Sequence, residues 1–333
     1  MTGHTAGRTA PGGQAASPAP RCPACRGTGS EPWARARDVE YRTTDEEFGY
    51  HRCLRCGALF IDPMPVDRLS EIYPANYYAY ASEEQSFVHR VKDRLDSLRL
   101  RRTLSRLSGD DLRILDVGGG DGRQLDVIRA LDPRVTFTQV VDLDPEAQAR
   151  AVERGHRYFC GRVEEFSTDE RFDLILLINL IEHVSDPGGV LDRLRRHLTP
   201  QGSILIKTPN TDSLDARLFR HRNWGGYHCP RHWVLFDRHN LTGLAAERGL
   251  AVRAFAYTQG APFWGVSLLA AAARRGWVRV SAERPMTRHP LFPPLAAAFA
   301  GFDLLRTTLG GRPSQMFVEL VPVPVPDSSD ASP

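Results

Sequence analysis

From residue 112 onward the chain alternates short apolar runs with longer segments of helical period. Leu112–Val117, 136–142, Phe172–Ile178, the apolar part of 198–210, 250–259 and 315–323 are short and rich in aliphatic and β-branched residues, which predicts strands. Helices are expected between them, at Arg123–Leu131, after residue 144 and from about residue 237. Asp144 suits an N-cap and Pro145 the first helical position. Strands and helices in this alternation build a doubly wound parallel sheet with helices on both faces. Upstream, residues 84–108 place Phe87, Val88, Val91, Leu95, Leu98 and Leu104 near one helical face. Residues 57–65 read as a strand stopped by Pro63 and Pro65.

The other segments lack such patterns. Residues 1–20 and 326–333 are rich in small and polar residues and Pro, and are expected to be disordered. Residues 1–20 lack the apolar core of a signal peptide, and no apolar run reaches the length needed to span a bilayer. A cytoplasmic protein with reduced thiols is therefore expected. The 43 basic and 40 acidic residues nearly cancel, unlike the basic stripe of a nucleic-acid binder.

Four of the six cysteines form two knuckles, Cys22-Pro-Ala-Cys25 and Cys53-Leu-Arg-Cys56. Two C-x2-C pairs a few tens of residues apart can complete a tetrahedron of thiolates around Zn2+. Four protein ligands leave no open position, so the zinc is expected to be structural. Gly57 relieves the turn after the second knuckle, whereas Arg26 stands at the equivalent place after the first. Cys160 and Cys229 stand alone. The tyrosine-rich stretch 72–80 is read as packing against the next domain or as a wall of a pocket.

Gly118-Gly-Gly-Asp-Gly122 follows the first strand, with Asp116 two residues before the first glycine. The second strand ends in Asp142, where a carboxylate can accept both ribose hydroxyls. Further on come Gly161-Arg-Val-Glu-Glu-Phe166 and Asn179-Leu-Ile-Glu-His-Val-Ser-Asp-Pro187. Then follows Leu198-Thr-Pro-Gln-Gly-Ser-Ile-Leu-Ile-Lys-Thr-Pro-Asn210. In order and spacing these segments resemble the class I, Rossmann-like, S-adenosylmethionine (SAM)-dependent methyltransferases over residues 112–259. The cysteine knuckles and the C-G-x-x-F-x-D-P-x-P run resemble the branch with an N-terminal zinc ribbon. The resemblance implies a seven-stranded sheet with SAM held by Asp116, Gly118, Gly119, Gly120, Asp142, Leu143, Val163, Glu164 and Asn179. The family often has Asp where this chain has Arg162, so the adenine contact is expected at Val163 or Glu164. The expected organisation is a zinc module at 21–62, a connector and helix at 63–108, and a methyltransferase domain at 109–325.

Methyl transfer from a sulfonium is an in-line displacement, helped by positioning and exclusion of water. An oxygen or nitrogen acceptor can also need a base. The candidates are His183, beside the fourth strand, and His228 and His232 in Trp224-Gly-Gly-Tyr-His-Cys-Pro-Arg-His-Trp-Val-Leu-Phe236. Pro230 argues against a helical metal pair there. The ubiquinone-pathway O-methyltransferases, which 179–187 resembles, carry a Glu-x-x-Glu-His run that can hold a divalent metal; here its first Glu is Asn179. Residues 260–314 form an insertion before the last strand, apolar at 262–273 and 290–305 with arginines between. It is expected to cap the pocket, with a peripheral membrane contact as the second reading. The expected acceptor is a small molecule or glycan precursor, methylated at a hydroxyl. An RNA methyltransferase gripping its substrate with the zinc module and a non-catalytic SAM-fold scaffold are the alternatives.

Overall fold

The computed structural model describes residues 20–73 and 87–324. The two expected tails and most of the tyrosine-rich stretch lie outside the described residues. The chain begins with β1 (Ser30–Arg37), β2 (Glu47–Cys53), β3 (Leu59–Asp62), α1 (Leu69–Ile72) and α2 (Phe87–Leu104). The alternating part follows as β4 (Leu112–Val117), α3 (Arg123–Leu131), β5 (Val135–Asp142), α4 (Pro145–Glu153), β6 (Arg157–Cys160) and β7 (Phe172–Ile178). Next come α5 (Pro187–Arg196), β8 (Leu198–Pro209), α6 (Leu214–Phe219), β9 (Val234–Leu235), α7 (Arg238–Glu247) and β10 (Leu250–Thr258). The chain closes with α8 (Ala261–Arg274), α9 (Phe292–Thr308) and β11 (Gln315–Pro322).

The main sheet has seven strands in the order β10-β11-β8-β7-β4-β5-β6. β6, β5, β4, β7 and β8 run parallel, and β11 is inserted antiparallel between β8 and β10. This is the expected Rossmann-like α/β fold. Parallel strands covered on both faces are continuously apolar, as in β7, where Leu174, Ile175, Leu176 and Leu177 are all fully buried. The helix starts follow the local chemistry. Asp144 caps α4 by accepting from Glu146 N, Asp186 caps α5, and Asp237 and Asn240 form a reciprocal capping box on α7. One expectation fails locally: Leu104 of α2 is buried as expected, but Leu98 is half exposed and Leu100 is buried in its place.

The N-terminal strands are not a free appendage. They form a second sheet, β1-β2-β3-β9, whose last strand comes from the stretch between β8 and α7. Tyr50 stacks on Tyr227 with ring centroids 4.5 Å apart. The Tyr50 hydroxyl donates toward the carbonyls of Tyr227 and His232, each at 3.1 Å. Arg231 and Asp38 form an ion pair at 2.7 Å with both side chains fully buried, and the Arg26 guanidinium reaches Asp186 at the start of α5. Cys22, Phe60, Trp233 and the sheet residues Leu115 and Ile175 belong to one continuous hydrophobic core. The loop between β8 and α7 is therefore held from both sides.

Candidate active site

The glycine turn after β4 is shaped by the carboxylates at the ends of β4 and β5. Gly118, Gly120 and Gly122 have φ of 77°, 51° and 80°, the left-handed region that glycine enters without steric cost. Gly119 is needed for space, because a Cβ there would lie 2.7 Å from the Asp116 carboxylate. The Asp142 carboxylate accepts from Gly120 N at 2.8 Å through Oδ2 and from Asp144 N at 3.0 Å through Oδ1. Each oxygen keeps a further lone pair for a ligand hydroxyl. Burial pushes the Asp116 carboxyl up to about 7, with the Asp142 charge adding to it. Burial also raises Asp142, against the backbone N–H groups that favour its charge.

Beside this turn a cleft of about 1140 Å³, counting its open mouth, lies outside the carboxyl ends of β4, β5 and β7. That is where open α/β sheets bind ligands. Of the residues expected to hold a cofactor, Gly118, Asp142, Leu143, Val163, Glu164 and Asn179 line it, together with Arg162. Asp116, Gly119 and Gly120 are not among the lining residues, and Asp116 supports the turn from beneath. Asn179 sits at φ 53° with its Oδ1 accepting from Gln315 Nε2 at 3.1 Å.

At the other end the cleft meets Leu69, Tyr73, Leu180, His183 and Trp233. Tyr73 is thus a wall residue, with its hydroxyl 2.9 Å from His183 Nδ1. His183 lies on a single 3-10 turn, Ile181–His183, after β7. The structure gathers the three candidate histidines. Ring centroids are 4.6 Å apart for His183 and His232, 5.0 Å for His228 and His232, and 6.3 Å for His183 and His228. Only His183 reaches the cleft; His228 and His232 lie behind it. His228 sits at φ 38° after a 3-10 turn, Gly225–Tyr227, so the loop is not helical. Its Nδ1 is 2.6 Å from Glu40 Oε2. Burial, then the neighbouring His228, pushes His183 down to about 3, and burial also depresses His232.

Glu40, Asp38 and Tyr50 had not been expected at the site. The signal available in the sequence was the charged and aromatic run Asp38-Val-Glu-Tyr41 directly after a strand. The insertion lies elsewhere than expected. No residue of 260–314 is among those that line the cleft. α8 packs on the back of the histidine loop, where Gly225 N donates to Ser267 Oγ at 2.8 Å and a Cβ on Gly225 would lie 2.5 Å from Phe263 O. Val266, Leu269 and Ala270 of α8 form a cluster with Val280 and Met286, and Val39 of the N-terminal module packs against it. The first helix of the expected cap, α8, is thus a brace behind the loop, because its apolar face is taken up by that packing.

Among the described residues two groups have the spacing to hold a metal ion: Cys22, Cys25, Cys53 and Cys56, and Glu182, His183 and His232. In the first, Cys22 and Cys56 sulfurs are 3.7 Å apart and Cys25 and Cys53 sulfurs 3.5 Å. These are too long for disulfides and close to the edge of about 3.8 Å of a ZnS4 tetrahedron with Zn–S near 2.3 Å. Gly57 (φ 81°) and Arg26 (φ 61°) both turn the chain through the left-handed region after a knuckle.

Residues 87–254 match the family model described as a methyltransferase domain. The chain is 34% identical over 134 residues to a ubiquinone biosynthesis O-methyltransferase of Bradyrhizobium sp. (strain ORS 278), covering 38% of this chain and 46% of that protein. A ubiquinone biosynthesis O-methyltransferase of Nitrobacter winogradskyi is also 34% identical over 134 residues, 38% of this chain and 44% of that protein. The matched region spans about half the length of these curated relatives. Among solved structures, the N-methyltransferase NodS from Bradyrhizobium japonicum WM9 with S-adenosyl-L-homocysteine aligns with a TM-score of 0.42 at 17% identity, covering 72% of this chain and 89% of that one. A sarcosine dimethylglycine methyltransferase structure from Galdieria sulphuraria aligns with a TM-score of 0.48 at 14% identity, covering 72% and 91%. With the family model spanning half of the sequence, this chain belongs to the methyltransferase-domain family.

Proposed function

We propose that the protein transfers the methyl group of SAM to a hydroxyl of a small-molecule or glycan-precursor acceptor, with a structural Zn2+ on the four cysteines. The observation that carries this reading is the cleft itself. It runs from the Asp142 carboxylate and the Gly118 turn at one end to His183, Tyr73 and Trp233 at the other. Asp142 suits the ribose hydroxyls, and Leu143, Val163 and Glu164 suit the adenine. The curated names of the relatives speak of O-methylation.

In the displacement an acceptor oxygen lone pair forms the new C–O bond. The S–CH3 electron pair returns to sulfur, and the hydroxyl proton leaves the acceptor. Burial keeps His183 neutral before the step, and its imidazole lone pair takes the proton that leaves the acceptor. The buried histidine loop and Trp233 limit water at that end. The RNA reading is not favoured, because the N-terminal sheet is committed to the histidine loop through β9 and the Arg231–Asp38 pair. No helix among the described residues is long and apolar enough to cross a membrane. A peripheral contact would fall on α9, where Leu304, Leu305 and Leu309 are exposed.

The test is a cell extract incubated with the protein and SAM carrying a deuterated methyl group. The expected result is label in a small-molecule or glycan-precursor product, as a methyl ether. Label confined to RNA, or none despite bound SAM, contradicts the proposal.

A further inference from the structure

The helix α9 is apolar, yet one side of it is left in water. From Phe292 to Phe302 it carries no charge, and its only charged residues are Asp303 and Arg306. A helix that is apolar all round is ordinarily covered all round. Here α8 covers the inner side: Trp264 stacks on Phe299 with centroids 4.6 Å apart, and Phe292 and Leu295 pack against the α8 cluster. Asp303 turns inward, accepts from Gly260 N at 3.0 Å, and is the only residue of the helix that is buried. On the outer side Pro294, Ala297, Ala298, Gly301, Leu304 and Leu305 recur at helical spacing, all exposed. Leu291 and Leu309, which flank the helix, are exposed too, Leu309 by 77%. A contiguous apolar stripe of this kind marks an interaction surface.

Charge identifies the occupant. Residues 260–314 hold seven arginines against Glu283 and Asp303, a net charge of +5. The whole chain carries +3, so the remaining residues sum to −2. Arg274, Arg275, Arg279, Arg284 and Arg288 lie between the end of α8 and the start of α9. All five are exposed, and none pairs with a carboxylate among the described residues. Trp277 stands among them, 75% exposed. A second copy of the chain would bring two surfaces of like charge together, and an uncharged apolar partner would leave the arginines without counter-charge. A phospholipid surface with anionic headgroups meets both needs. Its phosphates accept the guanidinium forks, and its acyl boundary takes up leucine and tryptophan side chains.

We propose that α9 and the arginine-rich connection before it dock the protein on an anionic phospholipid surface. The helix lies in the plane of that surface, since no helix among the described residues is long and apolar enough to cross a membrane. The docking face is built outside residues 87–254, the part that matches the family model. It is rooted at the edge where the cleft opens. The insertion leaves the main sheet after Thr258 and returns at Gln315, which pairs with Thr258 and with Pro209 at the carboxyl end of β8. Gln315 Nε2 also donates to Asn179 in the cleft wall. A chain docked in this way can reach an acceptor carried on a lipid. That use rests on the hydroxyl-transfer reading; the docking does not.

The experiment is flotation of the full chain, its cysteine site loaded with Zn2+, with vesicles of phosphatidylcholine alone or mixed with phosphatidylglycerol. The chain is expected to float with the mixed vesicles and to stay behind with phosphatidylcholine alone. Arg275→Gln should weaken partition about fivefold, the share of one basic side chain near an anionic surface. Leu305→Glu/Leu309→Glu should weaken it by at least ~30-fold, through the loss of two inserted apolar side chains. Both leucines are exposed, and unfolding curves confirm that the variant folds; Trp277→Ser is the second apolar test. No flotation with the mixed vesicles overturns the proposal. So does a leucine variant that floats like the parent, since charge alone would then hold the chain. A lipid-free dimer in sedimentation that the leucine variant abolishes assigns the face to a second copy and overturns it as well. Flotation by a chain that transfers no methyl group contradicts the transfer reading alone, while transfer without any vesicle binding contradicts the docking alone.

Discussion

Asp38→Asn is the most informative single change to the union of the two sheets. It keeps the shape and removes the charge that faces Arg231. The guanidinium lies 2.7 Å from Asp38 Oδ2, and neither side chain is exposed to solvent. Asp38 also accepts from Tyr41 N at 2.9 Å and from Thr43 N at 3.0 Å, so its loss acts on the turn after β1 as well. Removing one partner of a buried pair leaves an uncompensated charge and costs about 3–5 kcal/mol. Against a typical total of about 5–15 kcal/mol, that is a large fraction. At roughly 2 °C per kcal/mol for a large domain, the melting temperature should fall by about 6–10 °C. Urea unfolding followed by tryptophan fluorescence reads this directly, because Trp224 and Trp233 are buried in the same loop. The double variant Asp38→Asn/Arg231→Met should recover most of the loss. A cost below about 1 kcal/mol, or a double variant whose losses simply add, would refute the argument that this pair welds the N-terminal sheet to the loop. The pH dependence follows from the same pair. Burial raises the Asp38 carboxyl, but the Arg231 charge and the hydrogen bonds it accepts outweigh that and hold it below its usual value. Its contribution is therefore present above the unfolded value of about 3.9 and is lost as pH falls through the lower folded value.

Asp142→Ala should weaken SAM binding by about 1.5–3 kcal/mol, the usual loss of hydrogen bonds to a charged group; unchanged affinity by calorimetry would place the ribose elsewhere. Asp116, pushed up to about 7, has the opposite sign to Asp38: its contribution to stability is full below about pH 4 and is lost as pH rises through 7. Asp116→Asn should therefore flatten the fall in stability of the ligand-free protein over that range in urea titrations, and an unchanged slope counts against it. Cys53→Ser should lose the zinc expected on metal analysis and also slow methyl transfer, since β2 holds the histidine loop through Tyr50; full activity without the metal would show that the loop stands alone.

The sheet was legible because its strands carry their own signature: unbroken aliphatic runs such as Phe172–Ile178, ended by chemistry such as Asp144-Pro145 that starts the next helix. The cysteine cluster was legible from spacing alone. The contacts that complete the site were not. Glu40 meets His228 and Tyr50 meets the loop across nearly two hundred residues, and no local period encodes such a meeting. β9 is only two residues long, too short to register as a strand. The insertion was read correctly as apolar, and α8 does turn toward the histidine loop. Which side of the loop it would cover depends on Ser267 and Gly225 fitting together, a matter of shape rather than pattern. Leu98 was misjudged for a related reason, since a helix with weak amphipathicity does not declare its buried face.

The most direct test of the account is a crystal structure of the full chain with S-adenosylhomocysteine. The account predicts the ribose on Asp142, the adenine between Leu143 and Val163, and the sulfur aimed along the cleft toward His183. A ligand seated elsewhere, or with its sulfur turned away from His183, would contradict it.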